Sequence, residues 1–124
     1  MSEGAEELVR EWLRAFERLD LEPFVAAFVE DATAFLPFTS RRRVGRETIR
    51  AAFAEYFRAI AAGTTPRPPA VGDPDLVLQP LGEHAAVASF HYGTSGEVRR
   101  RSLILVARDG RWGIAHLHAS NLPE

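Results

Sequence analysis

Asp109-Gly110 separates two segments of alternating polarity, residues 98–108 and 112–121, and this turn constrains the chain more than any other feature. Asp-Gly suits the two positive-φ positions of a type I′ turn, which joins antiparallel strands through two residues and matches their twist. Residues whose numbers sum to 219 then stand opposite each other and share a face of the sheet. Trp112 faces Ala107, Ile114 faces Leu105, His116 faces Leu103, His118 faces Arg101, and Ser120 faces Arg99. That face begins apolar beside the turn and becomes strongly polar away from it. A wholly buried face would stay apolar, and a solvated one would not begin with Trp112 and Ile114. The pattern therefore reads as the wall of a lined cavity.

The remaining chain supplies layers to pack on this hairpin. Residues 3–19 carry Leu8, Trp12, Phe16 and Leu19 at helical spacing, with Val9 and Leu13 beside them. Asp20 is placed to cap a second, short helix holding Pro23, Phe24, Ala27 and Phe28, where proline is tolerated in the first turn. Residues 32–38 read as a strand and 41–44 as a short strand pairing back. Residues 45–62 form a third helix with the stripe Ile49, Ala52, Phe53, Tyr56, Phe57 and Ile60. A proline- and glycine-rich connection follows, and then strands at 76–81, 85–92, 98–108 and 112–121. Helices first and an antiparallel meander last make an α+β fold, with three helices packed on one face of an antiparallel sheet.

Composition narrows the function. The 124 residues suit one domain, and 46% hydrophobic with 26% charged residues marks a globular chain. A net charge of −2 argues against a dedicated nucleic-acid binder. The run Arg41-Arg42-Arg43 lacks interleaved aromatics and reads as a solvated turn. No apolar stretch is long enough to span a membrane, and the acidic, amphipathic start is unlike a signal peptide, so a cytoplasmic location is expected. Without cysteine there is no disulfide, thiolate metal site or cysteine nucleophile, and without lysine no Schiff base. The abundance of Ala, Arg, Gly and Pro fits a thermophile and a GC-rich genome equally well.

The order helix–helix–strand, then GRETIRAAF, then a four-stranded meander resembles the nuclear transport factor 2-like superfamily, also called the SnoaL-like fold. The closing run RDGRWGIAHLHASNLP resembles in particular the association domain of calcium/calmodulin-dependent kinase II and its bacterial relatives. The likeness falls on Trp112, His116, His118, Ser120 and Pro123. It implies one SnoaL-like domain over 1–124, with a strongly curved sheet forming a cone around an internal pocket, usually as a dimer. Isomerases, polyketide cyclases, dehydratases, epoxide hydrolases and non-catalytic assembly domains share this fold, so the site must decide the function.

Register extends the face assignment. A loop of two or four residues before the third meander strand keeps Phe90 and Tyr92 on the face of Arg99 and Arg101. With the helix stripes added, the expected pocket comprises Trp12, Phe16, Phe53, Phe57, Phe90, Tyr92, Arg99, Arg101, His116 and His118. The opposite face would carry Ile104, Ala115, Leu117 and Ala119, small and mildly apolar, as a homodimer interface. Buried arginines require carboxylate partners, with Asp31, Glu30 and Glu55 as candidates, or else an anionic ligand; at an open rim they would reach water instead. His118, or Asp31 by analogy with isomerases that carry an Asp base, is the candidate acid/base. The two histidines lack a third ligand for a metal, and no cofactor motif is present. These readings point to a module that binds a small molecule such as a carboxylate and self-associates. The alternative is a small cofactor-independent enzyme of isomerase, cyclase, dehydratase or hydrolase type.

Overall fold

The structure is a computed structural model and describes residues 2–124. Its elements are α1 (Ser2–Glu17), α2 (Leu21–Ala26), β1 (Phe28–Phe35), β2 (Arg43–Val44), α3 (Arg46–Ala61), β3 (Val77–Pro80), β4 (Ala85–Thr94), β5 (Glu97–Arg108) and β6 (Arg111–Pro123). The six strands form one sheet in the order β2-β1-β6-β5-β4-β3. The β3–β6 meander is antiparallel, but β1 runs parallel to β6, so the sheet is mixed rather than wholly antiparallel. The chain enters β1 from the helices, and β1 lies between its sequence neighbour β2, which pairs with it antiparallel, and the last strand, β6. Among the described residues no helix is long and apolar enough to cross a membrane.

The turns form for local reasons. Asp109 and Gly110 both take positive φ, 53° and 74°, and Arg108 pairs with Arg111 across them, so the two-residue turn is present. Thr94 pairs with Glu97, giving the preceding hairpin a two-residue loop and setting Phe90 opposite Arg101 and Tyr92 opposite Arg99. Asp20 occupies the N-cap position of α2, although its side chain makes no capping hydrogen bond.

The helix stripes and the inner sheet face bury each other. Val9, Trp12 and Leu13 of α1 and Ile49, Ala52, Phe53, Phe57 and Ile60 of α3 are buried. Phe24 of α2 is the hub: its ring stacks on Trp12 at 5.1 Å and meets Phe53 at 4.6 Å and Phe57 at 5.4 Å. Such aromatic pairs add to the area term that holds the layers together.

One irregularity in β6 redistributes its side chains. Beside the turn the pairing sums to 219, with Ala107 opposite Trp112 and Leu105 opposite Ile114. Beyond Leu105 it shifts by one residue: Ile104 pairs with His116, Leu103 with Leu117, Arg101 with Ala119, and Arg99 with Asn121. Ala115 is the extra residue of a β-bulge, and a one-residue slip exchanges the faces of everything beyond it. Leu117 and Ala119 are therefore buried at 1% and 6% exposure, and His116 and His118 lie on the outer face. The expectation that His116 and His118 face inward and that Leu117 and Ala119 face outward is corrected by this bulge. β1 is irregular at the same level: its register against β6 shifts between the pairs Phe28–Ile114 and Thr33–His116, although residues 28–35 stay extended.

Candidate functional site

A cavity of ≈ 260 Å³ lies between the helices and the inner sheet face. That is close to the lower end of the ~300–1,000 Å³ typical of small-molecule sites. Trp12 and Phe16 of α1, Phe53 of α3 and Phe90 of β4 form apolar walls, and Tyr92, Arg99 and Arg101 border it. These seven are residues that the sequence pattern singles out. Phe57 does not border the cavity; it packs one layer behind, against Phe16 at 5.9 Å and Phe53 at 5.9 Å. Its place is taken by Phe24, whose six-residue helix turns it inward.

Leu117, Ala119 and Asn121 supply the β6 side of the wall, where the undisturbed register would have put His116, His118 and Ser120. One sequence signal marks the bulge. The large apolar residues Ile114 and Leu117 stand three apart, which breaks strict alternation. Gly113 sits at a close approach, where an added Cβ would lie 2.7 Å from the Val29 side chain.

Arg101 dominates the polar end. It is 9% exposed, yet among the described residues no carboxylate lies within 4 Å of it. Its Nη1 donates to the carbonyl oxygens of Arg100 at 2.9 Å and Ser120 at 3.1 Å, and to Asn121 Oδ1 at 3.1 Å. The guanidinium also sits over the Tyr92 ring, 5.6 Å from its centre. Burial pulls its pKa below the usual arginine value; Tyr92 opposes that pull and the neighbouring Arg99 adds to it. Arg99 is different, because its Nε donates to Glu97 Oε1 at 2.8 Å. Burial disfavours its charge, but Glu97 and the phenols of Tyr92 and Tyr56 outweigh burial and raise its pKa.

This arrangement presents donors. Arg101 fixes the Asn121 amide, since turning the amide over would set N–H against N–H, and the Asn121 NH₂ is left facing away from Arg101. A buried cation bonded only to neutral oxygens retains an unmet demand for negative charge, which an anion at this end of the cavity would meet. Among the described residues the lining contains no Asp, Glu or His.

The candidate acid/base residues lie elsewhere. Asp31 sits where β1 shifts register against β6, with its side chain 72% exposed, and accepts a hydrogen bond from Arg108 Nη1 at 2.8 Å. That hydrogen bond and the Arg108 charge hold its carboxyl below the usual range. On the outer face His116 Nδ1 is 2.7 Å from Thr33 Oγ1, and Phe35 contacts both His116 at 5.9 Å and His118 at 5.5 Å. Arg42 lies over Phe35, 4.9 Å from its centre. Burial lowers the His116 pKa, with further lowering from His118 and Arg42. Ile104 remains half-buried on this outer face, and Ala115 is the half-buried bulge residue. Among the described residues no group of three His, Cys, Asp or Glu is gathered to hold a metal.

The arrangement of helices, sheet and cavity has relatives. Residues 5–123 match the SnoaL-like domain family. The chain belongs to that family. No curated protein matches it. Among solved structures, it is similar to a cystatin-like fold protein from Burkholderia xenovorans, with a TM-score of 0.76, 17% identity, and 98% of this chain and 91% of that chain covered. A second is a candidate calcium/calmodulin-dependent protein kinase II association domain from Xanthomonas campestris, with a TM-score of 0.69, 18% identity, and 97% and 86% covered. A third is a candidate ketosteroid isomerase from Parabacteroides distasonis, with a TM-score of 0.69, 20% identity, and 95% and 85% covered. At these identities the likeness shows the SnoaL-like, nuclear transport factor 2-like fold.

Proposed function

We propose that this SnoaL-like domain is a binding module whose cavity takes a small molecule with an apolar body and an anionic head, the head seated at Arg101. The observation that carries this reading is a buried arginine at the cavity wall with no carboxylate partner. The aromatic walls suit an apolar body, and Asn121, also in the lining, carries an NH₂ of the kind that suits an acceptor such as a carboxylate. The isomerase-type alternative needs an acid or base in the cavity, and neither His118 nor Asp31 lines it.

Arg101→Met keeps the chain length and removes the charge, so it should weaken binding of small aromatic and aliphatic carboxylates by about 2–4 kcal/mol while the domain stays folded. Thermal-shift titration of both proteins with the same acids measures this. Equal stabilisation of the two would make Arg101 a purely structural residue.

We further propose that the domain self-associates through the outer sheet face around Ile104, where Val87, Ile104 and Val106 form a half-buried apolar strip. The similarity to an association domain supports this, and the bulge removes Leu117 and Ala119 from any such contact.

A further inference from the structure

The charges around the cavity do not balance, and the imbalance has two centres. Among the described residues three arginines line it, Arg67, Arg99 and Arg101, and no carboxylate does. Arg99 is matched by Glu97 at 2.8 Å. Arg101, on the sheet, has no carboxylate within 4 Å among the described residues. Arg67, on the proline-rich strap between α3 and β3, is exposed to solvent as well as lining the cavity, and among the described residues its Nη1 donates to the Glu17 backbone carbonyl at 3.2 Å. The strap is anchored at that spot: the Glu17 carboxylate accepts from the backbone N–H groups of Val71 at 2.9 Å and Gly72 at 3.3 Å. Val71 is buried, so the strap is tied into the core rather than loose. The carboxylate that could have matched Arg67 is thus engaged with backbone donors.

From this we propose that the ligand is a dianion with a charge at each end, such as an α,ω-dicarboxylate, one end on Arg101 and the other met by Arg67 at the strap. This rests on the anion-binding reading of the cavity and names its substrate class. The aromatic walls of the cavity suit the methylene chain of such a molecule, and a second cation in the lining discriminates it from a fatty acid of equal length.

Calorimetric titration tests it with matched pairs: pentanoate with glutarate, hexanoate with adipate, and octanoate with suberate. Because Arg67 is exposed, in the wild-type protein at least one diacid should bind about threefold to fivefold more tightly than its monoacid. Arg67→Met should erase that preference, bringing each diacid down to about the affinity of its monoacid in the same variant, whereas Arg67→Lys, which keeps the charge, should retain most of it. Arg101→Met should weaken both members of each pair. Equal affinity for diacid and monoacid in the wild type, or a preference that survives Arg67→Met, overturns the dianion proposal. Loss of the preference in Arg67→Lys as fully as in Arg67→Met also overturns it, because strap shape rather than charge would then be responsible. If monoacids bind and Arg101→Met abolishes their binding, the anion-site reading stands whatever the diacids do. If no acid of either kind binds, both fall.

Discussion

The two faces of the sheet carry cationic or titratable groups in opposite settings. On the inner face Arg101 is buried, bonded to neutral oxygens, and next to an apolar cavity. On the outer face His116 and His118 sit beside Phe35 and Arg42, with His118 exposed. Exposure decides what each set can do. A charge withdrawn from water interacts strongly with whatever anion reaches it, while a charge in water is screened and contributes little. The inner set can therefore recognise a ligand, and the outer set lines a surface. What separates the two sets is the single extra residue, Ala115, in β6.

The largest effect expected from this comparison is at Leu117, which the bulge turns into the core. Leu117→Ala should cost about 2–5 kcal/mol, toward the lower end because one side of Leu117 already faces a cavity, as read by denaturant unfolding. A loss under about 0.5 kcal/mol would return Leu117 to the surface, and the inner and outer sets would exchange places. Next is the outer face itself. Ile104→Asp should leave unfolding stability within about 1 kcal/mol for the isolated protomer and shift the protein to monomers in light scattering. An unchanged assembly in that variant would move the contact off this face.

The smallest effect is a pH dependence from His116. Its folded pKa lies below the ordinary imidazole value of about 6.5, first because burial disfavours the cation and then because His118 and Arg42 repel it. The unfolded chain therefore binds more protons in that range. The contribution to stability is complete above about pH 6.5 and is lost as pH falls toward the folded pKa. Melting temperature should decline over that interval in the wild type, and His116→Gln should flatten the slope. A wild-type imidazole titration by NMR at or above the ordinary value would remove His116 from its half-buried position against Thr33.

Much of the architecture was legible in the residues because it rests on short-range rules. The helical stripes of residues 8–16 and 49–60, the type I′ turn at Asp109-Gly110, and the pairing of Phe90 and Tyr92 with Arg101 and Arg99 each follow from spacing and turn chemistry. The family resemblance drawn from the order of elements agrees with the match over residues 5–123. The inner placement of Arg99 and Arg101 needed only parity along one hairpin. Parity followed along β6 past the bulge puts His116 and His118 on the inner face and Asn121 on the outer one, the reverse of their places in the fold.

The sequence by itself determined the α+β class, the hairpin turn, the apolar stripes of α1 and α3, and the arginines that share a face with Phe90 and Tyr92. These depend on contacts within a turn or across one two-residue loop, where geometry leaves few choices. Only the tertiary structure decided which half of β6 faces the cavity, that β1 runs parallel to β6, that Phe24 replaces Phe57 in the wall, and that Arg67 joins the lining. Each of these depends on segments far apart in the chain. Gly113 meets Val29, and the strap is held by Glu17 across more than fifty residues, through Val71 at a separation of 54. A β-bulge is relieved or fixed by what packs against it, and local alternation carries no record of that partner.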